Sequence, residues 1–140
     1  MKNQVSPPGN RTHLGNAHTV ASVEGKLMLQ HCPGCKRVQY PHREVCCQCL
    51  SGGLVWTETN NQGTLLASVP LHRSLEPWFQ TRLPWHLGSV KLDCGPVVLA
   101  QLSSLECQAG QRVWVTEHKD ESGQVVLSAH CANDKQPNND

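Results

Sequence analysis

Four cysteines fall into two Cys-x-x-Cys hooks, Cys32-Pro33-Gly34-Cys35 and Cys46-Cys47-Gln48-Cys49, with ten residues between them. Paired hooks at this separation are how a chain presents four thiolates to one tetrahedral ion. Cys32, Cys35, Cys46 and Cys49 are therefore the predicted metal ligands. Cys47 competes with Cys46 only through a Cys-x-Cys hook, whose geometry is worse. Zinc is the expected ion, in a structural role, because four thiolates leave no open position for water or substrate. Iron fits the same sulfurs and would make the site a redox centre. Pro33 and Gly34 suit the first turn, with Gly34 the expected carrier of a positive φ. Lys36, Arg37 and Arg43 would ease the net charge of about −2 on a zinc–tetrathiolate group. His31 and His42 flank the hooks and read as supporting or surface residues rather than ligands.

A second concentration of chemistry lies between Leu71 and His86. Trp78, Phe79 and Trp85 occur there with His72, Arg73, Arg82 and His86. Aromatic and Arg side chains are enriched at protein–protein hot spots, and the same types stack on a ring or hold a phosphate. Arg73, Trp78, Phe79, Arg82, Trp85 and His86 are the candidate partner- or ligand-binding residues. The plainer alternative is that the aromatic residues cap the end of a barrel. No catalytic set assembles from the sequence. No cysteine has a local base motif, and no Gly-x-Ser-x-Gly or phosphate loop is present. Cys94 and Cys107 read as ordinary thiols.

The elements that must position these residues are short strands. Gly25 to Gln30, Arg37 to Tyr40 and Leu54 to Glu58 surround the hooks and together make a zinc ribbon. So few residues bury too little apolar surface to fold alone, so the metal must supply most of the folding free energy. Asn60-Asn61-Gln62-Gly63 is a polar break. After it come five strand candidates: Gly63 to Leu71, Pro84 to Leu92, Pro96 to Leu102, Gln111 to His118 and Gln124 to His130. Asp93-Cys94-Gly95 joins two of them as a hairpin, and Asp120 to Gly123 is a turn. In the fourth strand, Val113 and Val115 are expected on one face, Trp114 and Thr116 on the other. Five strands with short turns suggest a small closed barrel. The expected organisation is a disordered tail over 1–22, a ribbon over 23–60, a barrel over 61–131 and a disordered tail over 132–140. His13 and His18 fall in the first tail, as solvated side chains.

Composition narrows the function classes. The chain has 140 residues, with 12 Lys and Arg against 11 Asp and Glu. A phosphate-backbone binder normally carries a basic field, which this balance lacks. No apolar run approaches the roughly 20 residues of a membrane span. The first 20 residues have no apolar signal core, so a cytoplasmic location is expected. Eight cysteines could form a disulfide framework. A metal site in a reducing compartment is the better fit to the hooks.

Ribbon followed by barrel resembles a known family: bacterial and archaeal OB-fold proteins with an N-terminal rubredoxin-like zinc ribbon, long filed as a domain of unknown function. The resemblance rests on Leu29-Gln30-His31-Cys32-Pro33-Gly34-Cys35, Gln39-Tyr40-Pro41-His42-Arg43 and Cys46-Cys47-Gln48-Cys49. It continues through Gly63-Thr64-Leu65, Gly95-Pro96-Val97-Val98-Leu99-Ala100 and Gly110-Gln111-Arg112-Val113. It covers residues 25 to 130. The resemblance implies a non-catalytic accessory subunit that binds a thiolase-like, acyl-CoA-processing enzyme and helps form its acyl-CoA site or channel. Coenzyme A thioester is then an implied ligand. Family members usually begin with amphipathic helices that meet the partner, and residues 1–22 show no such pattern. An alternative use of ribbon and barrel is single-stranded nucleic-acid binding. Residues 62 to 131 hold five Lys or Arg against six acids, which makes no electrostatic groove. A small iron-containing redox carrier is the third reading.

Overall fold

Alternation of apolar and polar residues, broken by Gly, Pro and Asn, makes this a strand-dominated chain. The computed structural model describes residues 5–104 and 106–131. Three short strands form the first sheet: β1 (Met28–His31), β2 (Val38–Gln39) and β3 (Val55–Glu58). β1 is central, antiparallel to both neighbours, with His31 opposite Val38 and Gln30 opposite Trp56.

Five further strands close into a barrel: β4 (Gln62–Leu71), β5 (Trp85–Leu92), β6 (Val97–Leu102), β7 (Arg112–Lys119) and β8 (Val125–Cys131). Their order is β4-β5-β6-β8-β7, with β7 returning to β4 and a single parallel pair, β6 with β8. That is the strand order of an OB-fold: a mainly β chain, with ribbon preceding barrel. Closure forces close approach at Gly63, where an added Cβ would lie 2.5 Å from the Lys91 carbonyl oxygen. A bulge between Leu65 and Ala67 bends β4. Beyond it, β4 keeps β5 as its partner but leaves β7, so Leu66–Leu71 forms an open edge, while β5 stays paired with β6 from Leu87 to Lys91. The short helix α2 (Pro77–Gln80) lies in the connection from β4 to β5.

Ribbon and barrel share one core. Leu27 and Leu29 from the ribbon pack in the same cluster as Leu65, Val90, Leu92, Val98, Val113, Val115 and Ala129. The backbone joins them as well: Gly25 N–H donates to the Glu117 carbonyl (2.9 Å), and Glu117 N–H to the Lys26 carbonyl (2.7 Å).

Three expectations need correction. Residues 1–22 are not one disordered tail, because His13–Ala21 forms a helix, α1. Thr12 caps it, its hydroxyl accepting from Gly15 N–H at 3.1 Å. The only buried residue of α1 is His18, so the helix carries no apolar stripe for periodicity to detect. His18 is accordingly not a solvated side chain. The positive φ of the hooks falls not on Gly34 but on Lys36 (67°) and Leu50 (61°). Cys107 is not a free thiol; it is bonded to Cys131. As expected, Val113 and Val115 share one face of β7 and Trp114 and Thr116 the other; both are buried, His130 stacking on Trp114 and pairing with Thr116. The expected tail over 132–140 lies outside the described residues.

Candidate functional site

The metal centre is built from two matching turns. Cys32 N–H donates to the Arg37 carbonyl (2.9 Å) and Lys36 N–H to the Cys32 carbonyl (2.8 Å). In the second hook, Cys46 N–H donates to the Ser51 carbonyl (2.8 Å) and Leu50 N–H to the Cys46 carbonyl (3.0 Å). Lys36 and Leu50 are thus equivalent positions, one residue past the second cysteine of each hook. Their left-handed backbone closes the turn that aims both sulfurs inward.

The four sulfurs of Cys32, Cys35, Cys46 and Cys49 lie within 4.8 Å of one another. The nearest pairs are Cys32–Cys49 at 3.4 Å and Cys35–Cys46 at 3.5 Å. A tetrahedral ion with metal–sulfur bonds of about 2.3 Å needs sulfurs roughly 3.8 Å apart, so the donor set fits one such ion. Hydrogen bonding favours thiolate at the first cysteine of each hook. Backbone N–H groups of Cys35 and Gly34 lower the Cys32 thiol pKa. Those of Cys49 and Gln48 bring Cys46 down to about 6. Cys47 is exposed and outside the cluster.

Two glutamines that the sequence reading passed over lock the hooks together. Gln30 and Gln39 are both buried, and the Gln39 amide donates to Gln30 Oε1 at 3.1 Å. Gln39 Oε1 accepts from Cys47 N–H (2.9 Å), and Gln30 Oε1 from Arg43 N–H (2.9 Å). A polar residue facing its twin across β1 and β2 was the available signal. Arg37 donates to Gln48 Oε1 (2.8 Å), bridging hook to hook. His31 pairs with the Thr59 hydroxyl (3.0 Å) rather than with the ion site.

Beside the ribbon opens a cleft of about 650 Å³. One wall is aromatic: Trp78 and Phe79 from α2, and Trp85 from β5, with ring centroids 5.0 to 5.7 Å apart. The floor is the outer face of the barrel, including Leu87, Leu99, Gln101, His118 and Val126. The N-terminal segment and the ribbon also line it, with Pro7, Arg11, His18, Tyr40 and His42. Of the six predicted binding residues, Trp78, Phe79 and Trp85 line this cleft; Arg73, Arg82 and His86 do not. The Arg82 guanidinium lies 3.8 Å over the Trp78 ring and also donates to the Trp78 carbonyl, so it braces the wall.

At the ribbon end of the cleft runs a buried polar chain. The Glu117 carboxylate is wholly enclosed and ion-paired with His18 Nε2. Its other oxygen accepts from Met28 N–H. His18 Nδ1 meets His42 Nε2 at 2.8 Å. His18 stacks on Trp56, and His42 meets Trp56 and Tyr40 edge-on. His42 is held down to about 4 by burial and by the charge on His18. Helix, ribbon and barrel thus meet at one ion pair. No sequence pattern announces it, because its members are 99 and 24 residues apart.

Comparison with known proteins agrees with this layout. Residues 22–55 match the family profile "ChsH2, rubredoxin-like zinc ribbon domain", and residues 56–116 match "ChsH2, C-terminal OB-fold domain". A solved chain described as "Ltp2-ChsH2(DUF35) aldolase" has a TM-score of 0.68 and 20% identity, over 90% of this chain and 98% of that one. At that identity the likeness shows the fold. Among curated proteins, none matches the chain in sequence. No described helix is long and apolar enough to cross a membrane.

Proposed function

Because the chain belongs to the ChsH2 family of rubredoxin-like zinc ribbons joined to an OB-fold, we propose that it is the non-catalytic accessory subunit of a thiolase-like, acyl-CoA-processing enzyme. In this reading the partner performs the carbon–carbon chemistry. The chain completes the wall of the acyl-CoA site or channel. The ion is zinc, structural, held by Cys32, Cys35, Cys46 and Cys49.

The observation that carries the reading is the open edge of β4 beyond its bulge. Leu66, Val69 and Leu71 are exposed along it, and Leu75, in the connection that follows, is 97% exposed. Among the described residues no strand covers the outer edge of β4 from Leu66 to Leu71. An apolar strip beside an open strand edge is a surface that a partner buries. The neighbouring solved chain, described as an aldolase of Ltp2 and ChsH2, supports an enzyme as that partner.

The test is affinity purification of the tagged full chain from its native host, with mass spectrometry of what comes with it. A thiolase-like enzyme in stoichiometric amount is expected, and a Leu75→Glu substitution should weaken its recovery. Recovery of the chain alone, or with no thiolase-like protein, would sink the proposal.

A further inference from the structure

Backbone N–H and C=O groups of successive strand residues point alternately to the two sides of the strand. Leu65 turns both toward β7: its N–H donates to the Gln111 carbonyl (2.9 Å), and its carbonyl accepts from Gly110 N–H (2.7 Å). Gln62 faces the other way, its carbonyl accepting from Asp93 N–H (2.9 Å). Asp93 thus faces β4, whereas Leu92 N–H donates to the Pro96 carbonyl (3.0 Å), on the β6 side. By alternation Lys91, Ser89, Leu87 and Trp85 all face β4.

The bulge changes which residues of β4 meet them. Beyond it Ala67 lies opposite Ser89, Val69 opposite Leu87 and Leu71 opposite Trp85. These three direct their backbone groups to β5. Ser68 and Pro70 turn theirs outward, to the edge that β7 has left. Every residue from Leu66 to Leu71 is exposed. A strand tolerates proline where the missing N–H faces an open edge, and Pro70 sits at such a position. The edge therefore offers Ser68 N–H, Ser68 C=O and Pro70 C=O.

Its surroundings specify what fits. No charged residue occurs from Gln62 to Leu71. Val69 and Leu71 share a face with their partners Leu87 and Trp85, which line the cleft. A strand laid beside Ser68 continues that face, which calls for an uncharged segment with apolar side chains on that side. A second copy of this chain is a poor match. Antiparallel pairing of the edge with itself about Ser68 sets Pro70 against the bulge at Leu66 twice, with a donor missing each time. An unlike strand meets Pro70 once, or stops short of it.

We propose that the thiolase-like partner adds an extended, uncharged, apolar segment to the barrel sheet, hydrogen-bonded to Ser68 and Pro70. This rests on the accessory-subunit reading and names how the partner is held. The test uses the full zinc-loaded chain and the thiolase-like protein recovered with it from the native host. In the free chain, residue-resolved amide hydrogen exchange should find Ser68 fast beside slow Val69 and Leu71. The partner should slow Ser68 by about tenfold or more. Ser68→Pro removes only the outward donor, so affinity should fall about tenfold, the loss of one net hydrogen bond, with the thermal midpoint of the free chain kept. Pro70→Ala adds a donor on the same edge and should not weaken binding. Full affinity in Ser68→Pro, equal losses in both variants, or a Ser68 amide still fast in the complex would overturn the proposal and leave the accessory-subunit reading standing. A free chain already dimeric, with Ser68 slow, would assign the edge to a second copy and overturn it as well. Recovery of no thiolase-like protein would end both. The exchange measurement uses the unmodified chain, so it decides even where Ser68→Pro fails to fold.

Discussion

Replacing Glu117 by Ala should be the most damaging single truncation outside the metal ligands. The Glu117 side chain has no solvent exposure. It holds Met28 N–H with one oxygen and His18 with the other. Each charge-assisted hydrogen bond is worth about 1.5 to 3 kcal/mol, which gives roughly 3 to 6 for the two. Relief of the carboxylate's own desolvation offsets part of this, while an uncompensated His18 cation and an empty space of a few methylenes add to it. The net expectation is about 4 kcal/mol, a large share of the roughly 5 to 15 kcal/mol available to a domain. With a urea dependence of about 2 kcal/mol per molar, the unfolding midpoint should drop by about 2 M. The assay is equilibrium unfolding at pH 7 and fixed free zinc, followed by Trp56 fluorescence, since Trp56 stacks on His18. His18→Ala in the Glu117→Ala background should cost far less than in the intact chain, because its partner is already gone. A midpoint shift below about 0.5 M, or additive single effects, would refute the buried ion pair and with it the docking of α1.

Three further outcomes follow from the same contacts. Since His42 is held at about 4 by burial and then by His18, below its ordinary 6.5, its contribution is complete above pH 6.5 and is lost as pH falls toward 4. Discounting for the exposed part of the ring, stability should fall by about 1 kcal/mol between pH 7 and 5, and His42→Phe should remove that part of the slope. Leu50→Gly should raise the thermal midpoint by the equivalent of about 0.5 to 1 kcal/mol, because an exposed non-glycine residue there holds a φ of 61°. Elemental analysis should find one zinc per chain, and Cys46→Ala should abolish it. A coloured, iron-loaded protein would instead favour a redox centre.

The sequence was most legible where one physical rule acts alone. The hooks are such a place, since thiolate spacing is set by the ion. So are the barrel strands, where alternation and turn residues agree and the observed boundaries fall within two residues of those expected. It was least legible where side chains distant in the chain meet. α1 has a good cap but a polar anchor, His18, whose counter-charge lies 99 residues away, so hydrophobic periodicity had nothing to register. Cys107 and Cys131 gave no spacing signal either; only closure of the barrel brings their Cα atoms to 5.7 Å. The aromatic segment stood out by composition, yet its two arginines were not separable from its rings by type alone. Geometry divides them: Trp78, Phe79 and Trp85 face the cleft, while Arg82 lies over Trp78 as a brace.

The metal centre and the cleft are not independent features. The loop between the hooks carries Tyr40 and His42 into the cleft wall. Its path is fixed at one end by β2 and at the other by Cys46, and in the middle by Gln30, which bonds both the N–H and the carbonyl of Arg43. An ion held by the four thiolates would therefore do more than stabilise a small sheet. By holding Cys46 against Cys32 and Cys35, such an ion would help keep His42 Nε2 against His18. The same ring position keeps His18 beside Glu117, on the strand that donates to Lys26 and closes the shared core. A four-thiolate site with no open coordination position would in this way shape a surface it never touches: an ion there would order the loop, and the loop carries Tyr40 and His42 to the cleft.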